Sequence, residues 1–161
     1  MKTKIIIFIF FTYIIIFTSF GQSLEKQIID QALDLLENAV KLINEKGDIA
    51  IKQIGRPDGK FIDIKNALYV FVYDQNCVIL AHPFKPFLVG RSYKGKPDVK
   101  GKKFRDEIVE NALTKGNGSL IYSYQRPGMN GIFQKKVFYK LAKFGDKKYI
   151  VCSGIYLNSN Q

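Results

Sequence analysis

Apolar residues recur every three or four positions in SLEKQIIDQALDLLENAVKLINEKG, residues 23–47, where Leu24, Ile28, Ala32, Leu35, Leu36, Ala39, Leu42 and Ile43 form one stripe. This spacing predicts a helix that Ser23 can cap and Gly47 can end. At 1.5 Å per residue it would run about 35 Å. Residues 48–67 carry no clear period, and Pro57-Asp58-Gly59 marks a turn within them. In ALYVFVYDQNCVILAHP, residues 67–83, two apolar runs flank Asp74-Gln75-Asn76, predicting a hairpin whose second strand ends at His82. Residues 83–102 hold three prolines and three glycines, which forbid a regular element. Helical spacing returns in KKFRDEIVENALTKG, residues 102–116, at Phe104, Ile108, Val109, Ala112 and Leu113. Strands at 119–125, 133–144 and 147–157 follow, joined by RPGMNG and GD. Five strands, mostly hairpin-linked, with segregated helices predict an α+β fold. A five-stranded antiparallel sheet would carry a long N-terminal helix and a second helix on the loop side.

The first residues stand apart from this pattern. In MKTKIIIFIFFTYIIIFTSFGQ, Lys2 and Lys4 precede an apolar run from Ile5 to Phe17, and Ser19-Phe20-Gly21 offers small residues for cleavage. This reads as a signal peptide, residues 1–21, cut before Gln22 to leave a single domain over 22–161 in the periplasm or secreted. The apolar run is shorter than the roughly 20 residues of a spanning helix, which disfavours a retained membrane anchor.

Charge then narrows the partners. Removing Lys2 and Lys4 from 25 basic residues leaves 23 against 14 acidic ones, so the remaining chain carries +9. Export and the lack of a base-reading motif exclude nucleic acid as the expected partner. The charge suits solubility and the attraction of small anions. Cys77 and Cys152 lack the count and spacing of a disulfide scaffold, and their apolar surroundings predict two unpaired core thiols.

Catalysis finds little support. His82 is the only histidine, and no Gly-x-Ser-x-Gly elbow accompanies it. Cys77 lies five positions before it, an odd spacing that on a regular strand sends the two side chains to opposite faces. One histidine and two separated cysteines do not make a zinc site, and PDVKG at 97–101 lacks a calcium-loop ladder. No catalytic group, metal or cofactor is expected. An anion site is better supported. Tyr122 and Tyr124 share one strand face, and of Lys135 and Lys136 one alone can point inward. An inward lysine beside tyrosine hydroxyls would await a carboxylate, because a buried ammonium is costly unless paired. Alternatively, both lysines reach solvent along their apolar stems.

From residue 24 to residue 156 the chain resembles the single Cache domains of the second type, PAS-like extracytoplasmic sensor modules. The resemblance rests on YVFVYDQNCVILAHP, LVG at 88–90, DVKGKKF at 98–104, GSLIYSYQRP at 118–127, KKVFY at 135–139 and VCSGIY at 151–156. Within these stand His82-Pro83, Tyr122-x-Tyr124-x-x-Pro127, Lys136-x-x-Tyr139 and Ser153-Gly154-Ile155-Tyr156. The chain departs from the family pattern where Asn76-Cys77 replaces a glycine and where Tyr124 stands for the commoner tryptophan. The resemblance implies a last strand lying between the first and the fourth. It also implies a sensor function without enzymatic activity, with a cavity between the sheet and residues 83–116 for a small anionic metabolite, a short carboxylate. The ligand-binding residues it implies are His82, Tyr122, Tyr124, Lys136 and Tyr139, with Lys136 meeting the carboxylate. His82 keeps two readings, a pocket donor or a lock on the strand exit. A separate membrane protein is the expected signalling partner. The alternative is a ligand-free interaction or assembly module that uses the long N-terminal helix to pair with a partner's helix; a weak homodimer through that helix is a further expected partner.

Overall fold

The computed structural model describes the backbone of residues 2–157 and the side chains from Ser23 onward. The expected signal peptide therefore lies outside the described side chains. Helix α1 (Lys2–Lys46) passes through Ser23 rather than starting there. Its stripe is buried at Ala32, Leu36, Ala39, Val40 and Ile43. Gly47 ends it at φ 51, where a side chain would run into the Phe144 ring. Helix α2 (Asp48–Ile54) follows at once, in a stretch whose seven residues are too short to show a period; it buries Ala50 and Ile54.

A small ladder of β1 (Ile62–Asp63) and β2 (Leu68–Tyr69) leads into the main sheet. That sheet contains β3 (Phe71–Tyr73), β4 (Ile79–Ala81), β5 (Asn117–Gln125), β6 (Ile132–Phe144) and β7 (Lys147–Tyr156). Helix α3 (Phe104–Lys115) and a 3-10 turn at Pro86–Leu88 lie between β4 and β5. The strands are antiparallel in the order β4-β3-β7-β6-β5, which places the last strand between the first and the fourth as the resemblance implies. Being central, β7 is covered on both faces, hence its nearly unbroken buried run from Tyr149 to Ile155. One face packs Val70, Val72, Tyr149 and Val151 against α1 and α2. The other packs Phe71, Tyr73, Tyr122 and Val137 against Phe104 and Ile108 of α3.

One irregularity redirects a side chain. Val72 pairs with Ala81 and Tyr73 with Ile79, so Leu80 is an extra residue in β4. Such a bulge reverses the alternation beyond it. His82 consequently stacks on Phe71 and packs tilted against Tyr69, on the same sheet face as Cys77, and the opposite-face expectation from their odd spacing is corrected. No dyad results. Burial pushes the Cys77 thiol up to about 11, and the charge that acts on it most strongly is that of Asp106. Cys77 and Cys152 are both free and buried. Cys77 takes φ 59 where the family pattern has glycine, a left-handed conformation that costs a side-chain-bearing residue roughly 1–2 kcal/mol.

Gly154 is required by a close approach within the sheet. A Cβ there would stand 2.3 Å from the Lys136 carbonyl oxygen and 2.8 Å from Val137 Cα, both backbone atoms that cannot swing aside. Gly154→Ala is expected to cost about 3 kcal/mol, within the range of overpacking a core. Urea unfolding would read this as a lower midpoint; an unchanged midpoint would show that β6 and β7 can separate freely.

Candidate functional site

Strand register assembles the site. Tyr156, Lys135 and Tyr122 form one row across β7, β6 and β5, so their side chains rise from the same face toward α3. Lys135 is fully buried, and its Nζ makes no hydrogen bond. Aromatic rings surround it: the ammonium lies 3.9 Å from the centroid of Tyr69, 4.8 Å from Phe71, 5.2 Å from Tyr156 and 6.0 Å from Tyr124. The faces of these rings attract a cation but cannot replace its water shell. Burial accordingly lowers the Lys135 pKa to about 7.

The expectation that Lys136 is the inward lysine is corrected. Lys136 belongs to the alternate set of β6 positions, is half-buried, and holds its Nζ 5.5 Å from the Phe138 ring on the α1 side. Tyr139 does face α3, but four residues along β6 from Lys135, about 13 Å away. There it fits over Gly118, and a hydrogen bond from the Asn111 side chain partly offsets the rise that burial gives its pKa. Tyr122 stacks on Phe104 at 3.8 Å between centroids and an interplanar angle of 8°, and Tyr124 meets the edge of the same ring at 6.1 Å. Of the five residues expected at the site, three gather around Lys135: His82, Tyr122 and Tyr124.

His82 closes the exit of β4, with its ring on the face that carries Lys135. The Lys85 backbone N–H donates to its Nδ1 at 3.1 Å, closing the turn that leaves β4, while the ring packs 5.1 Å from Tyr69. An accepting Nδ1 places the ring proton on Nε2. Burial, with the charges of Lys135 and Lys85 adding to it, lowers the imidazole pKa to about 3. His82 is therefore neutral at physiological pH.

Arg105 is the site residue that spacing had left unnoticed. It is 7% exposed, with its guanidinium carbon 4.2 Å from the Phe104 centroid and 4.7 Å from that of Tyr93. Its position precedes Ile108, Val109 and Ala112 by three, four and seven residues, so it lies on the buried stripe of α3.

The segment that carries Arg105 is fixed to the free edge of the sheet. Asp98 Oδ1 accepts the backbone N–H groups of Lys100 and Lys102, both at 2.9 Å, and Oδ2 accepts that of Ser123 on β5 at 2.8 Å. Lys102 Nζ donates to the Ile121 carbonyl, also on β5, at 2.9 Å. DVKGKKF thus pairs an otherwise open strand edge through its side chains. Nearer the site, Lys85 Nζ donates to Gln125 Oε1 at 3.0 Å and lies 4.8 Å from the Tyr124 ring.

A long helix on one face of an antiparallel sheet, with a helix-and-loop cover over charged and aromatic side chains on the other, defines the class of PAS-like sensor domains. Residues 26–159 match the sequence model of single Cache domain 2, and the chain belongs to this family. Several solved structures share the fold. A Cache chemosensory domain, described for its recognition of carboxylic acids, is 21% identical with a TM-score of 0.65, over 85% of this chain and 98% of that one. The periplasmic sensor domain of a chemotaxis protein is 21% identical with a TM-score of 0.63, over 87% and 97%. A methyl-accepting chemotaxis protein from Vibrio parahaemolyticus is 20% identical with a TM-score of 0.67, over 85% and 93%. Among the described residues no helix is long and apolar enough to cross a membrane.

Proposed function

We propose that this protein is an extracytoplasmic, non-enzymatic sensor domain, periplasmic or secreted, that binds a short organic carboxylate between the sheet and residues 83–116. Lys135 is the counter-ion of that ligand. The observation that carries the reading is the Lys135 ammonium, fully buried with no hydrogen-bond partner and in no ion pair among the described residues. A carboxylate would supply the missing negative charge and acceptor together. Each hydrogen bond to a charged group contributes about 1.5–3 kcal/mol, so three of them approach the roughly 8 kcal/mol of a micromolar complex. The solved Cache domain described for carboxylic acid recognition, which shares this fold, supports the ligand class.

Lys135 is enclosed, so entry requires the 83–88 segment to part from β5. The contact nearest the site between them is the exposed Lys85–Gln125 hydrogen bond, which adds little to hold them together. Signal would leave through the opposite face of the sheet, where β6 and β7 pack on α1, toward a separate membrane protein.

Isothermal titration of the purified protein with acetate, propionate, lactate and pyruvate tests the reading. At least one is expected to bind with a dissociation constant of about 100 μM or tighter. Lys136→Met should leave that affinity unchanged. No binding tighter than about 1 mM by any short acid would overturn the ligand class.

A further inference from the structure

Three buried side-chain atoms among the described residues have no partner: Arg105 Nε, Lys135 Nζ and Ser153 Oγ. Ser153 alternates with Cys152 and so belongs to the α1 face, which leaves both cations on the ligand face. They rise from opposite walls, Lys135 from β6 and Arg105 from α3. Tyr124 lies between them, its ring 6.0 Å from Lys135 Nζ and its hydroxyl influenced by the Arg105 guanidinium. Both cations also act on the His82 ring.

The acids closest in sequence to Arg105 are already committed, Glu107 to the Lys102 ammonium at 3.4 Å. Asp106, its neighbour, accepts the Gly95 backbone N–H with both oxygens, at 3.0 and 2.9 Å. Asp98 is filled by three backbone N–H groups. The Tyr93 and Phe104 rings packed against the guanidinium offer no acceptor in line with Nε–H, which stays unmet. A single carboxylate placed at Lys135 would leave that donor as it is.

Building on the carboxylate reading, we infer that the site is made for a dianion, a short dicarboxylate whose two ends meet Lys135 on β6 and Arg105 on α3. Lys85, half-buried at the rim and hydrogen-bonded to Gln125, is a gatekeeper in this arrangement rather than a third anchor. His82, being neutral, contributes a hydrogen-bond donor and no charge.

The test compares two acids with the same four-carbon chain, succinate and butyrate, by isothermal titration at pH 7, with malonate and propionate as the shorter pair. Succinate or malonate is expected to bind at least about tenfold tighter than its monoacid, the equivalent of one charge-assisted contact. Lys135→Met and Arg105→Gln should each bring the ratio of the pair close to one. A general loosening of the fold would weaken both acids alike and leave the ratio standing, so the ratio separates charge reading from structural damage. Should Arg105→Gln fail to fold, Lys135→Met carries the test alone. If the monoacid binds as tightly as the diacid, the dianion inference is wrong while the carboxylate reading stands. If none of these acids binds, or acetate, lactate or pyruvate either, the carboxylate reading fails first.

Discussion

Lys135→Met is expected to raise the melting temperature by roughly 5–10 °C at pH 7 while weakening carboxylate binding at least about tenfold. The two effects share a cause. Lowering the Lys135 pKa from 10.5 to about 7 withholds about 4 kcal/mol of folding free energy at neutral pH, because the unfolded chain keeps an ammonium that the folded one resists. Four ring faces lie within 6.0 Å of the amine and offset part of this. Each contributes on the order of 0.5–2 kcal/mol, but ring faces do not replace the hydrogen bonds to water that a buried ammonium gives up. Methionine has a similar length, fills the same ring-lined space and carries no proton to lose. A net gain of about 2 kcal/mol is reasonable once imperfect packing is allowed for. Thermal melts with and without a carboxylate that binds the parent protein would read both outcomes. A lower melting temperature would show that the rings fully satisfy the ammonium, and with that the reason for a ligand there disappears.

Such a trade is what a binding site built from buried charge predicts, and it explains which parts of the site the sequence disclosed. The long helix, α3 and the last three strands were legible because each is long enough to repeat its period several times, and the hairpin because two apolar runs flank the polar turn Asp74-Gln75-Asn76. Helix α2 was not, since seven residues make barely two turns and Asp48, Lys52 and Gln53 interrupt its few apolar positions. The choice between Lys135 and Lys136 shows the difficulty most clearly. Lys136-x-x-Tyr139 attracts attention as a spaced pair, but a separation of three crosses the sheet, and Tyr139 shares its face with Lys135. The alternation alone could have made that choice. The side of the sheet that His82 takes was hidden for a different reason. One extra residue at Leu80 reverses the parity, and no residue type in VILAHP announces a bulge. Arg105 was overlooked because a charged residue on an apolar stripe reads as an interruption, although its spacing to Ile108, Val109 and Ala112 places it inside.

Stability without ligand is expected to rise as pH increases from about 7 to about 8.5, and carboxylate affinity to fall over the same range. The sign follows from proton counting. Between the folded value of about 7 and the ordinary 10.5, the unfolded chain holds one more proton at Lys135 than the folded chain does. This contribution to stability therefore increases by about 1.4 kcal/mol per pH unit in that window, reaches its full value above 10.5, and is lost as pH falls toward 7. The groups facing the amine do not mask this trend. His82 is neutral above about 3, and burial holds the Tyr69, Tyr122, Tyr124 and Tyr156 phenols and the Cys152 thiol in their neutral forms in the folded chain. Lys85, the remaining cation near the amine, is itself lowered by burial and adds in the same direction. Above about pH 8.5 the unfolded chain's Cys77 and Cys152 thiols ionise while the buried ones stay protonated, and its tyrosines follow near pH 10; these losses cancel and then reverse the slope, which sets the upper limit of the window. A bound carboxylate restores the ammonium, so binding above pH 7 must take up a proton and weaken by up to about tenfold per pH unit. Calorimetry in two buffers of different ionisation enthalpy would count that proton, and Lys135→Met should flatten the stability slope. An affinity constant from pH 7 to 9 with no proton uptake would mean that the ligand's negative charge meets some other group.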